Sequence, residues 1–148
     1  MVNVKQISIL LDQLDNHPGR LMNIVSVLTE NDINIKAITI AESANYANVR
    51  IIVDNVLWTA SILKRAGVAS NLTDVIAMEV PNVPGGLIKV LKVMKRAGIN
   101  IEYMYAVQSC KNPDKVCMIF KLSDNEAAEY ILQAEGIKIL SQGELAEL

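Results

Sequence analysis

The chain has 148 residues, and its 14 basic and 16 acidic side chains leave a formal charge of −2, so no global field draws it to nucleic acid or to an anionic membrane. Hydrophobic residues make up 51% and charged residues 20%, which excludes intrinsic disorder, and no apolar run approaches the roughly 20 residues that span a bilayer. The opening residues lack the basic, apolar and small-residue succession of a secretory leader, so a soluble cytoplasmic protein is expected.

In chain order, the β-like run Ile7-Ser8-Ile9-Leu10-Leu11 comes first and leads to a Pro18-Gly19 pair. Apolar residues then fall at Leu21, Ile24, Val25 and Leu28, the stripe of an amphipathic helix, with Asn31 or Asp32 as its stop. Residues 33–41 read as a strand, residues 42–48 as a polar hairpin and residues 49–53 as a third strand. A second helix, capped by Asp54 and stopped by Gly67, leads to a short strand at residues 68–72.

The second half repeats this order. Residues 75–80 form a strand, Pro84-Gly85 a turn, and Leu87, Val90, Leu91 and Met94 a helix stripe that Gly98 ends. Strands follow at residues 99–107 and 116–120 around a hairpin at residues 108–115, then a helix from Ser123 or Asp124 to Gly136, and a strand at residues 137–140. With Pro18 matched to Pro84, an offset of 66 residues, eight of 27 aligned positions are identical: Asn16/Asn82, Pro18/Pro84, Gly19/Gly85, Leu21/Leu87, Val27/Val93, Ile33/Ile99, Asn34/Asn100 and Ile35/Ile101. Two repeats are too few for a solenoid, so the chain is expected to hold two small domains, residues 1–72 and 73–148.

A βαββαβ order is the split βαβ pattern, so the fold class expected is α+β: two ferredoxin-like sandwiches, each a four-stranded antiparallel sheet with two helices on one face. Alternation assigns Ile7, Ile9, Leu11, Ile35, Ile51 and Val53 to the helix-covered face of the first unit, and Ile76, Met78, Ile101, Met118 and Phe120 to that of the second. The opposite alternation, with Leu10, Ile38, Ile40, Ile52, Met104, Ala106 and Ile119, is also apolar. A second covered face or sheet edge is expected there.

Asn-x-Pro-Gly-x-Leu at the first strand-to-helix turn, an apolar helix, and Asn-Asp or Ala-Gly before Ile-Asn-Ile together resemble the ACT domain, a family of small-molecule sensing modules. The resemblance covers nearly the whole chain as two copies, of which PNVPGGLIKVLKVMKRAGINIEYMYA is the more typical. The family usually carries an acidic residue where this chain has Asn16 and Asn82. Membership implies allosteric binding of an amino acid or similar small metabolite at interfaces between paired ACT domains, with a homodimer as the expected assembly.

The residues themselves offer chemistry suited to such a ligand. A helix N-terminus after each Pro-Gly pair presents unpaired N–H groups and partial positive charge, so an α-carboxylate could sit against Gly19, Arg20 and Leu21, or against Gly85, Gly86 and Leu87. Asn16, Asn82, Asn34 and Asn100, the last two beside Ile35 and Ile101, offer amides to both ends of a zwitterion. His17 and Arg20 in the first turn stand against Val83 and Gly86 in the second, so the two turns should differ in affinity or ligand.

Other functions find little support. One His, no nucleophile-base motif, and neither a phosphate-loop nor a dinucleotide fingerprint argue against an enzyme, and no cofactor or metal is expected. Asp12, Asp15 and Asp54 sit at strand ends and a cap, and the acylphosphatase run Gly-x-Val-Gln-Gly-Val-x-Phe-Arg is absent. Cys110 and Cys117 read as two half-buried thiols more readily than as a redox or metal pair. Tyr103 and Tyr105 share a strand face, but aromatics total 4% and no RNP1-like run accompanies them, so packing is favoured over RNA stacking. The remaining alternative is a regulatory subunit of an amino-acid-biosynthetic enzyme, resembling the small subunit of acetolactate synthase.

Overall fold

The computed structural model describes residues 4–12 and 17–148. The chain divides into two compact units, one of Lys5–Thr73 and one of Asp74–Leu148 with Val4. The first carries β1 (Val4–Asp12), α1 (Arg20–Glu30), β2 (Ile35–Glu42), β3 (Tyr46–Val53) and α2 (Val56–Arg65). The next strand, β4 (Ser70–Pro81), is one continuous element of 12 residues in place of the two separate strands expected at residues 68–72 and 75–80. The polar residues Thr73 and Asp74, which read as a break, stay in extended conformation within it. The second unit continues with α3 (Ile88–Ala97), β5 (Ile101–Ala106), β6 (Lys115–Leu122), α4 (Asn125–Ala134), β7 (Ile139–Leu140) and a short α5 (Gln142–Ala146) that the sequence reading missed.

In the first unit β3 lies between β1 and β2 and is antiparallel to both, with Ile7 opposite Ile51 and Ile38 also opposite Ile51. In the second, β6 lies between β4 and β5, and β7 pairs with β4 on its other edge, all antiparallel. Period-2 alternation turns Ile7, Ile9, Leu11, Val49, Ile51 and Val53 toward Ile24 and Leu28 of α1 and Ile62 and Leu63 of α2, closing one core. Ile76, Met78, Val80, Phe120 and Leu122 meet Val90, Val93, Met94, Ala128 and Leu132 in the other. Each unit is thus a sheet with its two helices on one face.

Two expected faces change for one reason. The β2/β3 register shifts between Ile35 and Ala37, and the β5/β6 register between Ile101 and Tyr103, at positions 66 residues apart. An extra residue in a strand inverts the alternation beyond it, so Ile38 packs on the same core as Ile35, and Met104 on the same core as Ile101. Of the remaining residues assigned to the far face, Ile52 and Ile119 are buried, whereas Leu10 and Ile40 are 53% and 51% exposed.

The helix stripes also shift. Val27 packs on the first core and Val93 is buried in the second, while Leu91 is exposed, because the rows at i+3 and i+6 face the sheet. The cap of α2 is Asn55, whose Oδ1 accepts from Trp58 N at 3.2 Å, and not Asp54. Asp54 is otherwise engaged, accepting from Asn34 N at 3.2 Å. At the matching point of the second unit, Ser123 Oγ accepts from Asn100 N at 3.0 Å, which leaves Asp124 as the cap of α4. Among the described residues, no helix is long and apolar enough to cross a membrane.

Candidate functional site

The two Pro-Gly pairs form β-turns ahead of their helices, not the helices' first residues. Arg20 N donates to His17 O at 3.0 Å, and Gly86 N donates to Val83 O at 2.9 Å, which puts Pro18 and Pro84 at the second turn position and Gly19 and Gly85 at the third. Gly19 has φ +89° and ψ −11°, and Gly85 has φ +77°. Those are type II values, where proline presets the first central residue and glycine alone tolerates the second.

This geometry corrects the expected anion contacts. The amides of Arg20 and Gly86 are spent inside the turns. Gly86 is buried, and a Cβ on it would fall onto the Pro81 carbonyl oxygen, so its role is close backbone packing. In the first unit Asn23 N is the first helical amide to reach back four residues, bonding Gly19 O at 3.0 Å. Leu21 and Met22 therefore hold the helix-start amides with no carbonyl four residues back inside the helix. Leu87 holds the corresponding place after the second turn, since Ile88 N donates to Gly85 O at 3.0 Å.

The side chains expected to complete the sites are distributed as follows. Asn16 and Asp15 lie outside the described residues. His17 is exposed, its Nδ1 3.0 Å from Pro18 O, and Arg20 is partly buried with an Nε that is enclosed without a hydrogen-bond partner. Asn82, Val83 and Pro84 are exposed, and Asn82 N donates to Asp114 O at 3.0 Å. Asn34 and Asn100 are exposed at the starts of β2 and β5, with Ile35 and Ile101 beside them partly buried.

Turn and asparagine do not meet within a unit. The register sets Asp12 opposite Tyr46 and Ala47 opposite Glu42 at one end of the first sheet, and Ile35 opposite Val53 at the other. Seven strand steps of about 3.3 Å separate those ends, roughly 23 Å. The same holds in the second unit, where Pro81 faces Lys115 and Ile101 faces Leu122. Parallel β1 and β2, joined by a helix, necessarily start at the same end, so a strand start and a strand-to-helix turn fall at opposite ends.

A separate feature escaped the sequence reading. Cys110 and Cys117 are joined in a disulfide across the β5–β6 connection, not two free thiols. Beside it lies a cavity of about 290 Å³ lined by Glu79, Lys111, Lys138, Leu140 and Glu144 as well as the two cysteines. Ser141 caps α5 through Glu144 N at 3.1 Å, and Glu144 returns the bond by accepting from Ser141 N at 3.1 Å. That backbone bond holds the Glu144 carboxyl below its ordinary value of 4.5, and the Lys138 ammonium at 3.2 Å acts in the same direction. The signal available beforehand was a pair of cysteines flanking a hairpin, a spacing that topology had to close.

Three of the solved structures similar to this chain show the kind of protein it resembles. A Bacteroides thetaiotaomicron protein of known crystal structure is 33% identical over 99% of this chain and 98% of its own, with a TM-score of 0.89. The regulatory subunit of aspartate kinase from Thermus thermophilus, in ligand-free form, is 17% identical over 91% of this chain and 92% of its own, with a TM-score of 0.63. Its counterpart from Thermus flavus is 16% identical over 90% and 91%, with a TM-score of 0.61. No curated protein sequence matches. Residues 2–148 match the family model described as an ACT domain pair, and with two βαββα units carrying the same turn at the same offset, the chain belongs to that family.

Proposed function

We propose that this protein binds an amino acid and reports its concentration, acting as a regulator and not as a catalyst. The observation that carries the reading is the duplicated type II turn, with a left-handed glycine feeding a helix start at Gly19 and again at Gly85. The helix-start amides of Leu21 and Met22, or of Leu87, would hold the α-carboxylate, aided by about half a positive charge from the helix dipole. The Asn34 or Asn100 side chain would take the α-ammonium. Because these two groups stand roughly 23 Å apart within a unit, the asparagine end is assigned to a second copy of the chain. A ligand bridging two copies favours the paired arrangement by its differential affinity for it. His17 and Arg20 give the first turn a polar wall that Val83 and Gly86 do not, so the turns should bind unequally.

Thermal denaturation of the protein against each proteinogenic amino acid tests the reading. At a hundredfold excess over Kd, the cognate ligand adds about 2.7 kcal/mol, a rise of roughly 8 °C for a chain of this size. Gly85→Val should abolish the part of the response that belongs to the second turn. A folded sample that no amino acid stabilises would defeat the proposal.

A second reading is favoured by the likeness to the two aspartate kinase regulatory subunits, of which over nine-tenths of the length is matched. In that reading the chain relays ligand binding to a separate biosynthetic enzyme, an aspartate kinase or an acetolactate synthase. Leu57 and Tyr130, each 79% exposed on a helix, offer apolar contacts. Reconstitution with such a catalytic subunit decides it: feedback inhibition should require this chain.

A further inference from the structure

The structure assigns to Cys110, Cys117 and Glu79 a binding site for a thiophilic divalent cation of the Zn²⁺ class, open when the disulfide is reduced. Three observations converge. Antiparallel register places Glu79 of β4 directly opposite Cys117 of β6, so both side chains leave the same sheet face at neighbouring positions. The β5–β6 connection returns Cys110 to that face, with its Cα 5.4 Å from that of Cys117. The two sulfurs and a Glu79 carboxylate oxygen consequently all lie within 4.8 Å of one another. Cys117 is buried, and Glu79 and Cys110 are half-buried at the wall of the 290 Å³ cavity, which leaves space for an ion and a further ligand.

The coordination chemistry fits. A dithiol reductant delivers two electrons and two protons. The Cys110–Cys117 bond breaks, two thiols form on the protein, and the reductant closes its own disulfide. Metal binding then displaces both thiol protons to solvent, giving two thiolates and one carboxylate around the ion. With metal–sulfur bonds of about 2.3 Å, a tetrahedral site sets its sulfurs about 3.8 Å apart, so the two sulfurs, bonded to each other in the oxidised chain, move apart on reduction before an ion can sit between them. Two thiolates and a carboxylate carry three negative charges against the cation's two. Lys138, at the same cavity wall and 3.2 Å from Glu144, offsets part of the excess. Soft sulfur ligands select Zn²⁺ over Mg²⁺ or Ca²⁺. The framework is anchored around the site, since Val107 N donates to Cys117 O at 2.8 Å and Glu79 N to Lys138 O at 3.0 Å. The same β5–β6 connection supplies the Asp114 carbonyl to Asn82 N, so the site adjoins the second Pro-Gly turn.

The experiment uses the full chain, reduced with a phosphine, desalted without oxygen, and titrated with Co²⁺ as the spectroscopic probe. The expected result is one Co²⁺ per chain with thiolate-to-cobalt charge-transfer absorption, displaced by Zn²⁺. The oxidised wild-type chain should show none. Glu79→Gln should weaken binding by roughly tenfold or more, and Cys110→Ser should abolish the charge-transfer band. Circular dichroism of the reduced wild type guards against binding by an unfolded dithiol, so loss of the sheet signal on reduction overturns the proposal. Absence of the charge-transfer band, equal binding by the oxidised chain, or unchanged affinity in Glu79→Gln overturns it as well.

Discussion

Gly19 and Gly85, 66 residues apart, do the same work, each holding a positive φ in its turn. Gly86 does something else, with its missing Cβ making room for the Pro81 carbonyl. Arg20 occupies the equivalent place in the first turn, so the close packing at Gly86 belongs to the second turn's own sequence. The contrast is measurable. Gly86→Ala should cost about 2–3 kcal/mol through forced backbone movement, whereas Gly19→Ala meets no neighbouring atom and should cost only the left-handed strain, about 1–2 kcal/mol. Urea unfolding with an unchanged m-value would read both. Equal costs would show that crowding at Gly86 is relieved more easily than the backbone geometry indicates.

Among the elements, the small α5 is the one whose stability depends most plainly on charge. Its capping box ties Ser141 to Glu144 in both directions, and Glu144 also meets Lys138. A carboxyl whose folded pKa lies below its unfolded value contributes stability that is complete above the unfolded value and is lost as pH falls through the folded one. With the ordinary value at 4.5, the contribution of Glu144 is present at neutral pH and fades in the acid range below that. Glu144→Gln should therefore lower the melting temperature slightly at pH 7 and make its acid decline shallower than in wild type. Parallel melting curves from neutral pH down to about pH 3, bracketing carboxylate titration, check the sign. An unchanged slope would assign acid sensitivity to other carboxylates. The caps of α2 and α4 are worth about 1 kcal/mol each, and the choice of Asn55 over Asp54 shows what local sequence cannot rank. Both residues cap well, but Asp54 is claimed by the Asn34 amide, a partner 20 residues away in the chain.

At the scale of the molecule, the separation of turn from asparagine within each unit makes the proposed ligand site depend on assembly. Ligand should consequently shift a monomer–dimer equilibrium toward the dimer, visible as an increased sedimentation coefficient at protein concentrations near the dimer dissociation constant. Asn100→Ala should reduce that shift without altering the fold, since the Asn100 contacts to Ser123 run through its backbone N and O. A ligand that stabilises the protein thermally with no change in sedimentation would place its binding within one chain. The cavity beside Glu79 and Lys138 is then the place to look.

The repeated βαββα order and most residues of both cores were legible in the sequence because they rest on local periodicity: alternation along Ile7, Ile9 and Leu11, and helical rows through Ile24 and Leu28. The Pro-Gly turns were visible for the same reason, since proline and glycine restrict and permit backbone angles whatever surrounds them. Where a residue's role depends on a distant partner, local pattern gave the wrong answer or none. The register shifts between Ile35 and Ala37 and between Ile101 and Tyr103 turn Ile38 and Met104 to the core because of their pairing with β3 and β6. Cys110, Cys117 and Glu79 share no local motif and meet only because three strands set their register. Local stereochemistry is a property of consecutive residues, whereas register and chain reversal are settled only when the sheet forms.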